Sequence, residues 1–402
     1  VTGLRVAFVL GTASGGTAVH AAMLARGCAG EGLEVHAFGP ESTRRLFGTG
    51  RGGDAVCTGR GGGPGSSARG GAGAGILPGA AIGFEPVEIA DRPRPVSDAA
   101  AVMRLRGLLR RIRPHVVHAH GLRAGAFAAL ALSGRSRRAA LLITVHNAPP
   151  AGRSSAVAYR ILEHICARRA DVVLCVSADL AARMRRLHAR QVGNAVVPAP
   201  PARRPAAAAI EAARSDIGAD GQPVVLAVGR LAEQKGYGVL LAAAASWQGR
   251  DPRPLLAIAG DGPLAGDLAA AARERDIAVR FLGQRADVPA LLSAADVFVV
   301  ASGWEGQPLV VQEALQAGRP IVAARAGGIP DMTGEDGALL VPPGNPGRLA
   351  AAVLAVLDDE GLAARLGTAA TARAARLPTE ADALTAATAL YSWLAAVRGE
   401  PR

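Results

Sequence analysis

Short apolar runs recur along the chain, and stretches with apolar residues at three- and four-residue spacing separate many of them. The runs in the first half are LRVAFVL (Leu4 to Leu10), LEVHAF (Leu33 to Phe38), FEPVEI (Phe84 to Ile89), HVVHAHG (His115 to Gly121), LLITVHN (Leu141 to Asn147), DVVLCVS (Asp171 to Ser177) and AVVP (Ala195 to Pro198). The second half has PVVLAVGR (Pro223 to Arg230), LLAIAG (Leu255 to Gly260), AVRFLG (Ala278 to Gly283), DVFVV (Asp296 to Val300), PIVAA (Pro320 to Ala324) and GALLV (Gly337 to Val341). Runs of this kind suit strands buried on both faces, and the spacing between them predicts helices. Helices are expected from the glycine loop Gly11 to His20 on to Gly30, then over Ser97–Arg113, Ser154–Arg169 and Ala178–Ala189. Further helices are expected over Lys235–Trp247, Pro346–Leu357, Leu362–Arg376 and Glu380–Arg398. Alternation of strand and helix predicts an α/β chain of doubly wound, Rossmann-like parallel sheets.

The pattern stops twice. Residues 48–83 are glycine-rich and hold too little apolar surface to offset the entropy of ordering, so a flexible insertion is expected there. PAPPARRPAAAA (Pro198 to Ala209) reads as a linker. The expected domains are therefore 1–200 and 201–376, with a C-terminal helix over 377–402 packing back toward the first.

The 402 residues are enough for two domains, and half of them are hydrophobic. No apolar run reaches the ~18 residues of a membrane span. The first strand begins without a basic region and apolar signal core, so a cytoplasmic protein is expected. Cys28, Cys57, Cys166 and Cys175 form no CxxC pair, and no His or Cys set has zinc spacing along the sequence. Buried free thiols are expected. The net charge of +12 is uneven: residues 1–200 carry +15 and the remainder −3. The basic half suits an anionic acceptor or peripheral contact with an anionic membrane surface. Arg104, Arg106, Arg110, Arg111 and Arg113 form a basic face on one helix, opposite Leu105, Leu108, Leu109 and Ile112. Aromatics are only 3%, too few for the stacking platforms of single-stranded nucleic acid, and no nucleic-acid partner is expected.

Ligands of open parallel sheets sit at the carboxyl ends of the strands. In the first half that rule selects Gly15, Gly16, His120, His146 and Asn147. His118 and His120 share a strand face, with His120 at its end. In the second half it selects Arg230 and Lys235 of GRLAEQKG, where Lys235 is the only lysine of the chain. A forked guanidinium and a compact ammonium suit one diphosphate. Gly283 and Arg285 offer a surface for a planar base. ASGWEGQPLVVQEALQAG (Ala301 to Gly318) places Glu305 in a loop and Glu313 on the helix after it. Pro308 suits the first turn of that helix. The amides of Leu309 and Val310 would face a phosphate, which free donors and the helix dipole favour. Each carboxylate can accept two hydrogen bonds from a sugar diol.

Taken in order, GRLAEQKG, GDGPL, FLGQRADVP, EGQPLVVQE and GGIPD resemble the nucleotide-sugar-binding half of the retaining glycosyltransferases of family 4, the GT-B group. The resemblance is strong over residues 223–376. Over 1–200 it is looser, resting on TASGG, VVHAHGLRAG and TVHN. It implies two Rossmann-like domains facing across a cleft and a nucleotide-sugar donor. The implied acceptor hydroxyl sits on an anionic small molecule, lipid or glycan. Arg230 and Lys235 would clamp the diphosphate. Glu313 would hold the ribose and Glu305, with Gln307 beside it, the donor sugar. Leu309 and Val310 would supply amides, Gly16 would lie near the diphosphate and acceptor, and His120 would contact the transferred sugar. No metal and no other cofactor are expected, since the cationic pair replaces a divalent ion and no Asp-x-Asp motif is present.

Three features depart from the family pattern. Thr17-Ala18-Val19-His20 follows Gly16 where relatives often carry glycine and arginine. Asp331 follows GGIP in place of glutamate. The insertion at 48–83 falls in the acceptor-side domain. A UDP-sugar 2-epimerase on the same architecture is the nearest alternative, and a basic nucleic-acid-binding protein a more distant one. A Rossmann dehydrogenase is disfavoured, because GTASGG has only the outer glycines of the dinucleotide fingerprint.

Overall fold

The computed structural model describes residues 3–11, 16–48, 82–90, 93–134, 139–148, 153–219 and 221–399. Nearly all of the glycine-rich insertion, including Cys57, lies outside them, as does Gly15. The chain forms two compact units, Val1–Pro198 with Thr379–Arg402, and Ala199–Pro378.

In the first unit, β1 (Arg5–Leu10) leads to α1 (Gly16–Gly30), β2 (Glu34–Gly39), α2 (Arg44–Phe47) and β3 (Gly83–Pro86). Then come α3 (Pro95–Ile112), β4 (Val116–His120), α4 (Leu122–Ala131), β5 (Ala140–Val145), α5 (Arg153–Arg169), β6 (Val172–Cys175), α6 (Ala178–Arg186) and β7 (Val192–Asn194). The strands lie in the order β3-β2-β1-β4-β5-β6-β7, all parallel. Val6 is paired with Val35 on one side and Val116 on the other.

The second unit runs α7 (Ala207–Ile217), β8 (Val224–Val228), α8 (Tyr237–Ala244), β9 (Leu255–Ala259), α9 (Ala265–Glu274), β10 (Val279–Gly283), α10 (Val288–Ala294) and β11 (Val297–Val300). It continues with α11 (Leu309–Gln316), β12 (Ile321–Ala324), α12 (Ile329–Thr333), β13 (Leu339–Val341), α13 (Pro346–Asp358) and α14 (Glu360–Ala374). Its parallel order is β10-β9-β8-β11-β12-β13. The chain then returns to the first unit as α15 (Glu380–Gly399). In both sheets the order reverses beside the first strand of the unit, between β1 and β4 and between β8 and β11. Such switch points leave a crevice at the carboxyl ends of those strands.

The apolar runs have the expected physical role. Val225 and Ala227 face one core layer, with Leu240, Leu241 and Trp247, while Val224 and Leu226 face the other, with Leu291 and Leu315. Helices cover both sides, so strand residues of either parity are apolar. In the first unit Phe8 and Leu10 pack with Ala21, Ala25, Cys28, Tyr391 and Leu394, which docks α15 onto α1. Cys28, Cys166 and Cys175 are buried free thiols, and burial pushes each pKa upward.

Several boundaries differ from the sequence reading. Helix α3 starts at Pro95, not at a Ser97 cap, because proline fits a first turn whose N–H needs no partner. Its basic face is partly engaged: Arg106 donates to the carbonyls of Leu130 and Ala131 at the end of α4, and Arg111 pairs with Glu85. The last strand of the first sheet is Val192–Asn194, ahead of the expected Ala195–Pro198; Ala195 N still donates to the Cys175 carbonyl, and Pro198 has no N–H to extend the ladder. The helix expected to run to Ala189 ends at Arg186, and His188 takes a left-handed conformation. The proline–alanine stretch gives way at Ala207 to α7, whose alanines favour helix. No described helix is long and apolar enough to cross a membrane.

Candidate functional site

In the second unit the loops after β8, β11 and β12 meet. Val228 ends β8, Gly229 turns away, and Arg230 is exposed. Lys235 closes a single 3-10 turn, Glu233–Lys235, and does not open the long helix expected there. Gly236 breaks the helix with φ 67, and a Cβ on it would lie 2.1 Å from the carbonyl oxygen of Ala301. Only glycine permits that approach of the β8 loop to the end of β11. Two hydrogen bonds fasten the same loops: Gln234 Nε2 donates to Trp304 O at 2.8 Å and Gly303 N to Gln234 O at 2.9 Å.

Glu305 is the meeting point. Its side chain is buried, and Oε1 accepts from Lys235 Nζ at 2.6 Å and from Ser302 Oγ at 2.6 Å. Its carbonyl accepts from Gly328 N at 2.9 Å. Gly327, with φ 55, lies so close that a Cβ would stand 1.8 Å from that carbonyl oxygen. The GGIP motif thus presses the β12 loop under Glu305. Lys235, Ser302, Glu305, Pro308 and Val310 line one small cleft.

Helix α11 begins at Leu309, with Pro308 as its N-cap, one position earlier than the first-turn placement expected. The amides of Leu309 and Val310 belong to the first turn and have no intrahelical acceptor. Glu313 follows one turn later, half-buried, and burial pushes its pKa above the usual carboxylate value. Gln307 is half-buried in the loop before the helix.

Arg285 is held by two carboxylates. It donates to both oxygens of Asp287, at 2.7 and 2.6 Å, and to Asp216 of α7 at 2.9 Å, which ties the loop after β10 to that helix. Gly283 is exposed with φ 64, and its carbonyl accepts from Gly260 N at 2.7 Å.

The first unit gathers histidines at its own switch point. His118 is fully engaged, with Nδ1 2.6 Å from the Tyr391 hydroxyl and Nε2 2.7 Å from Thr144 Oγ1. His120, at the end of β4, places Nδ1 3.1 Å from Nε2 of His146, just past β5. His20, on α1, has Nε2 3.1 Å from the carbonyl of Val196. His20 Nδ1 and His120 Nε2 are buried with no hydrogen-bond partner. Burial, and then neighbouring histidines, hold the pKa values down: His118 to about 3, His120 and His146 well below the usual range. Burial lowers His20 to about 4, opposed by the Val196 carbonyl. All four imidazoles are therefore neutral at pH 7. Gly16 is exposed at the start of α1, and Asn147 is exposed beside His146.

Sequence reasoning passed over Ser302, Gln234, Tyr237, Thr144 and Tyr391 as site-shaping residues. Tyr237 OH donates to Gly229 O at 3.0 Å and steadies the turn that carries Arg230. The hydroxyl of Ser302, three residues before Glu305, was the one local signal for a carboxylate partner.

Two parallel sheets with reversed order at their centres, and a lysine–glutamate pair beside a helix start in the second, define a protein of the GT-B class. The profile described as "Glycosyl transferases group 1" matches residues 209–373, and that described as "Glycosyl transferase 4-like domain" matches 15–200. The chain belongs to this glycosyltransferase family. It is 34% identical to alpha-D-kanosaminyltransferase of Streptomyces kanamyceticus over 43% of this chain and 45% of the relative. It is 39% identical to glycogen synthase of Mycobacterium tuberculosis over 45% of this chain and 44% of the relative. The matched stretch thus spans less than half the length of these relatives. Among solved structures, Anabaena HepE in complex with UDP-glucose aligns with TM-score 0.74 and 19% identity, covering 97% of this chain and all of HepE. Sucrose-phosphate synthase of Thermosynechococcus elongatus aligns with TM-score 0.73 and 22% identity over 98% of this chain and all of that one.

Proposed function

We propose that the protein moves a hexose from a nucleoside diphosphate to an acceptor hydroxyl with retention of anomeric configuration, and that the transfer step uses no metal ion. The observation that carries this reading is the contact of Lys235 with Glu305 beside the first turn of α11. A diphosphate leaving a sugar gains negative charge in the transition state, and fixed donors that meet this charge speed departure. On this reading Lys235 turns from Glu305 to the diphosphate when the donor arrives, joined by Arg230 and the amides of Leu309 and Val310. Glu305, released from its cation, then accepts hydroxyls of the sugar, with Gln307 beside it. Glu313 takes the ribose diol, and Gly283 borders the base. Arg285, held by two carboxylates, keeps its planar face for stacking.

UDP-glucose is the donor proposed, since HepE, a fold relative, carries it. The first unit is assigned the acceptor, with Gly15, Gly16, His146 and Asn147 beside it and His120 on the transferred sugar. Its basic charge supports an anionic acceptor, as does 35% identity to a D-inositol 3-phosphate glycosyltransferase of Corynebacterium kroppenstedtii over 42% of this chain. The donor and charge fit a cytoplasmic enzyme that meets some acceptors at an anionic membrane surface.

Incubation with UDP-glucose and a panel of phosphorylated polyols, lipid headgroups and glycans tests the reading. Proton NMR of the product should show the donor's anomeric configuration. Inverted product, or an epimerised or hydrolysed sugar nucleotide formed without acceptor, would contradict it.

A further inference from the structure

We propose that His20, His120 and His146 form a binding site for one divalent transition-metal ion of the zinc class. The site is confined to the first unit. It does not rest on the sugar-transfer reading, although it shares His120 and His146 with the acceptor assignment.

The geometry comes first. One ring nitrogen from each of the three lies within 4.8 Å of the others. The ring centroids form a nearly equilateral triangle, with sides of 5.4, 5.6 and 5.7 Å. Zinc binds imidazole nitrogen at about 2.0–2.1 Å, which sets each ring centroid about 3.2 Å from the ion. At tetrahedral angles, three such centroids stand about 5.2 Å apart, close to the observed sides. The nitrogens of His120 and His146 at 3.1 Å are already near the roughly 3.4 Å that two ligands on one tetrahedral ion require.

The chemistry agrees. A metal-binding histidine usually donates its other ring N–H to a carbonyl or carboxylate, which fixes the tautomer. Val196 O accepts in this way from His20 Nε2, leaving the partnerless Nδ1 with its lone pair free to bind. His120 would bind through Nδ1, the nitrogen that faces His146 Nε2, and its Nε2, buried without a protein partner, would carry the proton. Metal ligation needs neutral imidazole, the form that burial favours. Three nitrogens without a carboxylate disfavour magnesium and calcium, which take oxygen, and favour zinc, copper or nickel. Three protein ligands leave a fourth position for water or an anionic group. His20 also lines a cleft with Leu24, Leu142, Asn194 and Ala387. The ligands come from α1, β4 and the end of β5, so spacing along the sequence cannot show them. The sequence reading expects no metal anywhere in the chain, so this site departs from it; the departure of the diphosphate proposed at Arg230 and Lys235 does not involve the ion.

The test uses the full chain, stripped with a chelator and titrated with Co2+ and, separately, Zn2+. One equivalent of Co2+ should bind with the strong visible absorption of four-coordinate cobalt, and Zn2+ should displace it. His20→Phe should weaken uptake by at least ~100-fold, beyond the loss typical of an outer-shell change. His164→Ala, an exposed histidine of α5, should bind as the parent does. Failure of the parent protein to take up one equivalent overturns the proposal, as does a folded His20→Phe protein with unchanged uptake. Should His20→Phe not fold, X-ray absorption of the parent zinc protein decides. Three imidazole ligands support the site; a shell containing sulfur, or fewer than three imidazoles, overturns it.

Discussion

Lys235 and Glu305 hold each other at 2.6 Å, one partly exposed and the other buried. The contact keeps a cation beside the helix start. On the proposed mechanism Lys235 meets charge that develops as the diphosphate leaves, so its removal should lower turnover. Lys235→Ala is expected to reduce kcat ~100-fold, as removal of one such donor typically does, measured by initial rates at saturating donor. Glu313 is assigned a different task, a charged hydrogen bond to the ribose. Glu313→Ala should weaken donor binding ~10–100-fold, from a loss of about 1.5–3 kcal/mol, with little change in kcat. Equal effects of both substitutions on kcat would show that the two residues do not divide the work this way. At this scale the residue types behind the proposed chemistry, a lone lysine and two carboxylates, could be picked out from the sequence. It was silent on the existing Lys235–Glu305 contact and on the ion pairs that occupy Arg285, because these depend on how separate loops meet.

At the scale of elements, the glycines of the loops decide how closely strand ends approach. Gly327 has φ 55 and lies against the backbone of Glu305, so alanine there meets both strain and a clash with a carbonyl that cannot yield. Gly107 lies exposed within α3, where a Cβ would meet nothing within 4 Å. Thermal or denaturant unfolding should therefore separate the two. Gly327→Ala should cost more than about 1 kcal/mol. Gly107→Ala should add about 0.5–1 kcal/mol, because alanine restricts the unfolded chain and favours helix. Similar changes for both would refute the packing argument. Strands and long helices were legible because each apolar run serves a sheet covered on both faces. Boundaries were less so. Pro95, Pro308 and the glycine after Lys235 set starts and stops by local backbone chemistry, which the apolar period does not register. Caps with a side-chain acceptor, such as Asn345 and Asp359, mark their helices more plainly.

For the whole molecule, doubly wound parallel sheets were implied by the repeated alternation; their shared strand order was not, and the recurrence of the switch point places candidate chemistry in each unit. The buried histidines give the first unit a pH dependence. Their folded-state pKa values are depressed, so between about pH 6.5 and the folded values the unfolded chain binds more protons. Stability should be level above about pH 6.5 and fall as pH drops toward about 4 for His20 and about 3 for His118. Each unit of pKa shift is worth about 1.4 kcal/mol, so the loss should be several kcal/mol in all. Urea unfolding across that range, followed by fluorescence and circular dichroism, measures it. A flat profile would mean that the histidines charge freely in the folded state.

The central claim is that cations at the switch point of the second sheet hold a nucleoside diphosphate. Titration calorimetry of UDP with the parent protein and with an Arg230→Ala, Lys235→Ala double variant tests it most directly. One site in the parent and binding weaker by ~100-fold or more in the variant are expected, since each charged hydrogen bond contributes about 1.5–3 kcal/mol. Equal affinity in the two proteins would contradict the account.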